Sequence, residues 1–208
     1  MKQIALFDYD GTLISGDSIA HLLRFSVKKK AVPFFSVLPG AIAGLLFTVH
    51  LMDERTSKER ALAFLNRLSA EKQEQLLSAF VTEDLLPRSF QDGLNRIRQL
   101  KEEGTEVWLV SASTSNYMEK VSRQLGIDHL ICTEADSLGH IKVNCKGEEK
   151  VLRIKAALSG HPDAVIREAY ADSPSDLPML QLAEKPIAVN PKRALRKAAP
   201  RIDAVLWH

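Results

Sequence analysis

Apolar and polar positions follow two textures along this chain. Lys2 to Phe7 is a short apolar run ending at Asp8, which predicts a buried strand. The chain leaves it through Asp8-Tyr9-Asp10-Gly11-Thr12-Leu13. Asp17 or Ser18 stands where a helix cap belongs, ahead of Ile19, Leu22, Leu23 and Phe25, and Lys28 to Lys30 end that segment. The next 22 residues, Ala31 to Met52, carry no charge and contain Pro33, Pro39, Gly40 and Gly44. Charge returns at Asp53, and Thr56–Leu68 and Ala70–Leu85 then have amphipathic spacing. Residues 17–85 thus read as an all-helical block.

Beyond Pro87, helices and strands alternate. Helices are predicted over Phe90–Glu103, Thr114–Leu125, Glu148–Leu158, Ser175–Ala183 and Pro191–Ala199. Strands are predicted over Thr105–Val110, His129–Thr133, Ala164–Tyr170 and Pro186–Val189, with Ala204–Trp207 as a final edge strand. Leu138–Val143 suggests a small hairpin around Gly139. Such alternation predicts an α/β fold, a Rossmann-like parallel sheet. The helical block interrupts it after the first strand. The expected organisation is a catalytic α/β core of residues 1–16 and 86–208 carrying an inserted helical cap, 17–85. Trp108 is expected in the core, and Trp207 at the sheet edge.

Composition narrows the class. With 208 residues, 45% of them hydrophobic and 26% charged, the chain is an ordinary globular protein with room for one substantial core and an insert. Its 28 basic and 26 acidic residues leave a net charge of +2, so nothing points to nucleic acid. Two cysteines, Cys132 and Cys145, with no CxxC, exclude a disulfide scaffold or zinc finger. Together with the missing signal-peptide pattern they favour a cytoplasmic location.

Candidate chemistry gathers at predicted strand ends, where open α/β sheets bind ligands. Asp8 and Asp10 are two apart in an extended segment, so both carboxylates face one side. Their repulsion raises one pKa or calls for a cation between them. Asp172 ends a second strand, and Asp176 follows four residues on. Each aspartate alone has a plainer reading as a turn or cap residue. Three at strand ends point to a cation, and an all-oxygen site suits Mg²⁺. Gly11 permits a sharp turn and a close backbone approach to an anion, and Thr12 adds a hydroxyl. Ser111 and the amides of Ala112-Ser113 open a helix, a setting that favours phosphate. Lys146, Lys150 and Lys155 are candidate partners for a phosphate dianion.

These residues resemble the haloacid dehalogenase superfamily. Leu6–Leu13 (LFDYDGTL) is similar to its motif I, Val110–Ser113 (VSAS) to motif II, Gly147–Ile154 (GEEKVLRI) to motif III and Tyr170–Leu180 (YADSPSDLPML) to motif IV. The motif III and IV contexts are those of the phosphoserine-phosphatase-like branch, and the helical insert resembles its C1 cap. The resemblance implies a Mg²⁺-dependent phosphomonoester hydrolase. Asp8 would be the nucleophile and form an aspartyl-phosphate. Asp10 would protonate the leaving group and then activate water. Asp8, Asp172 and the Asp10 carbonyl would hold Mg²⁺. Ser111, with Gly11, Thr12 and Ala112, and Lys150 would bind the phosphoryl group. Asp176 and Ser173 would support the site, with Asp176 orienting Lys150 or a metal-bound water.

The chain departs from the branch at Ala171, where glycine is frequent, and at Asp17, where phosphoserine phosphatases carry glutamate. Asp17, His50 and Arg55 (with Arg60) are candidates for substrate specificity. The expected substrate is a small phosphorylated metabolite. A lipid phosphate of phosphatidylglycerophosphate type, phosphotransfer to an alcohol, and non-catalytic binding of a phospho-ligand are the alternatives.

The uncharged stretch has the length of a membrane span. A complete crossing would, however, separate Asp8 from the other motifs. The main expectation is that residues 31–52 are the buried helices of the cap. Contact with the inner face of the membrane and a dimer interface are the alternatives, and the sequence leaves the oligomeric state open.

Overall fold

The structure, a computed structural model, describes residues 2–208. Its centre is a six-stranded, wholly parallel sheet of β1 (Gln3–Phe7), β2 (Glu106–Thr114), β3 (His129–Thr133), β4 (Val165–Ala171), β5 (Lys185–Val189) and β6 (Asp203–Val205). The strand order is β3-β2-β1-β4-β5-β6. Direction of winding therefore reverses between β1 and β4, and the crevice beyond their carboxyl ends is where such sheets bind ligands. Alternation along β1 feeds two cores: Ala5 and Phe7 pack on one face, Ile4 and Leu6 on the other. Both faces are covered, which is why the strands read as continuous apolar runs.

The helical insert follows β1 as α1 (Ser18–Lys28), α2 (Phe34–Thr48), α3 (Glu54–Leu62) and α4 (Ala70–Phe80). Its neck is pinned by backbone bonds: Ser15 N donates to the Arg88 carbonyl and Phe90 N to that of Leu13, at 3.3 and 2.9 Å. Asp17 caps α1 by accepting from Ala20 N at 2.9 Å. Asp53 caps α3 by accepting from Thr56 N at 2.9 Å. The helix expected over Thr56–Leu68 thus begins at Glu54 and tightens into a 3₁₀ turn over Ala63–Arg67. The one expected through Leu85 widens into a π turn over Val81–Leu85. Phe80 joins the insert to the core between Phe25 and Tyr117, with ring centroids 5.6 Å apart in each pair.

After the insert come α5 (Gln91–Glu102), α6 (Ser115–Leu125), α7 (Glu148–Leu158), α8 (Leu177–Leu180) and α9 (Arg193–Ala198). The expected hairpin at Leu138–Val143 is reduced to one bridge between Ala135 and Ile141. There Asp136 Oδ1 takes the amides of Leu138 and His140, so the backbone closes on a side chain instead of a second strand. Trp207 does not close the sheet edge. Its ring lies 5.3 Å from Tyr170 and 6.4 Å from Phe7, over the central strands.

The uncharged stretch is not a buried cap core. Only Ser36, Val37, Gly40 and Ala43 of α2 are buried. Phe34, Phe35 and Leu45 are 65%, 66% and 64% exposed. The cause is the contact α2 makes: a Cβ on Gly40 would lie 2.7 Å from the Ala61 Cα, so the helix seats on α3 through its small residues and turns the large ones outward. At 15 residues α2 is about 22 Å long, short of a roughly 30 Å hydrocarbon layer. No helix among the described residues is long and apolar enough to cross a membrane.

Candidate active site

Asp8 sits where β1 ends. Its amide still donates to the Tyr170 carbonyl at 3.0 Å, so sheet pairing fixes its direction. The side chain is buried and accepts from Lys150 Nζ at 2.7 Å and Thr12 Oγ1 at 3.2 Å. The chain then turns at Gly11, with φ +80°. A Cβ there would stand 2.3 Å from Asp172 Oδ2, so the turn brings bare backbone against a second carboxylate.

Asp10 faces the same crevice in another environment. Oδ1 accepts from Ser18 N at 2.7 Å, and Oδ2 accepts from Ser18 Oγ at 3.1 Å and from Ser113 Oγ. Ser18 Oγ is itself 2.7 Å from Tyr117 OH, which ties the carboxylate to α6. Burial, with the nearby Asp17 charge, pushes Asp10 up to about 6 against the pull of those hydrogen bonds. Burial also pushes Asp8 up to about 7, although Lys150 opposes it.

Lys150 projects from the first turn of α7 and is itself buried. Its Nζ lies 2.7 Å from both Asp8 Oδ1 and Asp176 Oδ1. Burial works against its charge, but the two carboxylates outweigh burial and hold it protonated. Asp172, past the end of β4, pairs with Lys192 Nζ at 2.7 Å and is raised by burial against that lysine. Its Oδ1 is buried without a hydrogen-bond partner among the described residues. One oxygen each of Asp8, Asp172 and Asp176 lie within 4.8 Å of one another. Such a set fits a hard divalent cation.

These groups line a pocket of about 130 Å³. Its wall carries six carboxylates, including Asp17, and four lysines. Negative charge is therefore in excess before any phosphoryl group enters. Ala112, Ser113 and Ser173 line it as well. Ser111 stands behind them, its Oγ turned to accept the Ser113 amide at 3.0 Å.

Of the expected specificity residues, only Asp17 reaches this pocket. His50 lies exposed after the end of α2, and Arg55 and Arg60 point to solvent from α3. The insert instead contributes Lys58 and Glu54, one turn of α3 apart and paired at 2.6 Å. Lys58 Nζ also donates to the Ala112 carbonyl and Asn144 Oδ1, both at 2.7 Å, bridging insert and core. Burial lowers its pKa against the pull of Glu54. Burial opposes ionisation of Glu54, but Lys58 and Lys146 bring it down to about 2. No local pattern marks Lys58. Lys192 had one signal, its place just past the end of β5 on the same sheet edge. Cys132 and Cys145 are buried and unpaired, and burial pushes both thiols up, so they are inert.

The chain is 28% identical over 208 residues to a putative hydrolase of Mycobacterium leprae, covering 94% of this chain and 69% of that protein. It is 31% identical over 217 residues to a probable phosphatase of Mycobacterium tuberculosis, covering 95% and 72%. A solved protein of unknown function from Bordetella pertussis shares the fold, with a TM-score of 0.87 and 24% identity over 99% of this chain and 98% of that one. Residues 5–181 match the haloacid dehalogenase-like hydrolases. The chain belongs to the haloacid dehalogenase-like hydrolase family and is a phosphatase.

Proposed function

We propose that this phosphatase hydrolyses small phosphomonoesters through a covalent phosphoenzyme on Asp8. The observation that carries the proposal is the unequal treatment of two carboxylates two residues apart. Lys150 pairs with Asp8, whose oxygen also belongs to the Asp8–Asp172–Asp176 cluster, while Ser18 and Ser113 hold Asp10 outside that cluster. A nucleophile and a proton donor are what the two steps need, and unlike environments assign those roles.

In the first step an Asp8 oxygen attacks phosphorus, the phosphorus–alkoxide bond breaks, and Asp10 gives its proton to the departing oxygen. In the second, water attacks the phosphorus of the aspartyl-phosphate, Asp10 takes the water's proton, and Asp8 leaves as carboxylate. Lys150 offsets charge on the phosphoryl oxygens in both steps, and Asp176 keeps Lys150 in place. Ala112 and Ser113 present their end of β2 to the same oxygens. Mg²⁺, held by Asp8, Asp172 and the Asp10 carbonyl, would supply the positive charge that the pocket lacks and keep Asp8 ionised. The orphaned Asp172 oxygen and the all-oxygen donor set support that assignment.

The helical insert would serve as the cap over this site, with Lys58 as its link to the core. The test is phosphate release from an alkyl phosphate, together with acid-quench labelling by a ³²P-labelled ester. Wild type should show acid-stable label on the protein, and Asp8→Asn should show neither label nor turnover while keeping its fold. EDTA should stop release and Mg²⁺ restore it. Asp8→Asn protein turning over at wild-type rate would overturn the mechanism.

A further inference from the structure

We infer that a cavity enclosed by α1, α2 and α3 receives the alcohol part of the substrate, and that this alcohol carries an apolar chain or ring. The inference rests on the phosphatase reading above and adds a substrate class to it.

The cavity measures about 450 Å³ and is lined mainly by apolar groups, among them Ile19, Leu23, Ala41, Gly44, Phe47 and Ala61. That is within the range of small-molecule sites. It adjoins the catalytic pocket, because Asp17, Ile19, Glu54 and Lys58 line both. The catalytic pocket, at about 130 Å³, has room for a phosphoryl group and a few further atoms. Anything larger on the ester oxygen must extend past Ile19 into the apolar space.

The charged groups at this junction are already engaged. Asp17 caps α1, and Glu54 pairs with Lys58 and Lys146. They form a polar collar; farther out, Arg24, which makes no ion pair among the described residues, and Thr48 are polar points in a mainly apolar wall. What lies beyond the collar rewards burial of hydrocarbon.

The cavity has a traceable origin. Gly40 lets α2 touch α3, and one turn later Gly44 has nothing within 4 Å of its would-be Cβ, so that side of α2 is left open. A mid-helix glycine weakens a helix relative to alanine, and at Gly44 no close packing requires it. The space it leaves is the cavity wall.

The test is kcat/KM for ethyl, butyl, hexyl and octyl phosphate, all below their micelle concentrations, with phosphatidic acid in vesicles as a lipid-borne arm. Each methylene buried is worth up to ~4-fold in kcat/KM. The wild-type ratio of hexyl to ethyl phosphate should therefore exceed ~30-fold. Gly44→Leu places a side chain in that open space, where its Cβ meets nothing within 4 Å, and should bring that ratio toward one. Ala41→Leu, on the same wall, keeps the test decisive if Gly44→Leu misfolds.

A gain confined to the monomeric series assigns the cavity to soluble amphiphiles, and turnover of the vesicle-borne ester as well assigns it to lipids. Both uphold the subsite. A flat series in wild type, or a ratio unchanged in both variants, overturns it. Failure of every ester in wild type would instead refute the phosphatase reading.

Discussion

Replacing Ser113 with alanine tests the role given to Asp10. The Ser113 hydroxyl donates to Asp10 Oδ2, favouring the ionised carboxylate, so its removal must raise the Asp10 pKa. Asp10 already stands at about 6 against an ordinary 3.8. At pH 7 this lifts its protonated fraction from about 0.06% to about 9%, roughly a hundredfold gain in available acid. A hydrogen bond to a charged group is worth about 1.5–3 kcal/mol, or roughly 1–2 pKa units when removed alone. Ser18 still supplies two donors, so the lower end, about one unit, is expected.

The assay is kcat/KM for a simple alkyl phosphate from pH 4.5 to 8.5 with saturating Mg²⁺. The alkaline limb, where the acid is lost, should lie about one pH unit higher in Ser113→Ala than in wild type. The substrate phosphoryl group also titrates near 6, but identically for both proteins, so the difference belongs to the enzyme. With p-nitrophenyl phosphate, whose leaving group needs little protonation, the separation should shrink. A limb that moves to lower pH, or does not move, would refute Asp10 as the acid held by these hydroxyls.

Two further outcomes follow from the geometry. Gly11→Ala should lower the urea midpoint by the equivalent of about 2 kcal/mol or more and depress turnover, because φ is +80° and the new methyl meets Asp172; near-wild-type stability would contradict the turn described. Phe34→Ser with Phe35→Ser should change unfolding free energy by no more than about 0.5 kcal/mol per site, whereas Phe80→Ala should cost about 3–5 kcal/mol. Comparable losses would mean that α2 is buried after all.

The core of the site is readable because its residues sit at strand ends. Asp8, Asp10, Asp172 and Asp176 are legible from spacing and from the apolar runs before them. Lys150 needs the family resemblance to separate it from Lys146 and Lys155. The structure makes the difference physical, since Lys150 lies between Asp8 and Asp176 while Lys146 pairs with Glu54 and Lys155 is exposed. Ser111 is expected as a phosphate ligand; its buried Oγ accepts the Ser113 amide at 3.0 Å. His50 lies outside the pocket because it sits in the turn after α2, and Arg55 because the phase of α3, which composition does not reveal, points it outward.

Strand and helix periodicity, the D-x-D-G-T turn and the break in texture at Pro87 determine the parallel sheet, the insert and which carboxylates gather at the strand ends. These are local properties, set by side-chain alternation and by backbone conformations few residues adopt. Tertiary structure alone decides which insert residues look into the site and which face of α2 is covered. Lys58 acts through Ala112, 54 positions away, and the cavity beside Gly44 exists only where α1, α2 and α3 come together. Hydrophobicity marks α2 as apolar all round, but only packing determines that small residues touch the protein while Phe34 and Phe35 face water.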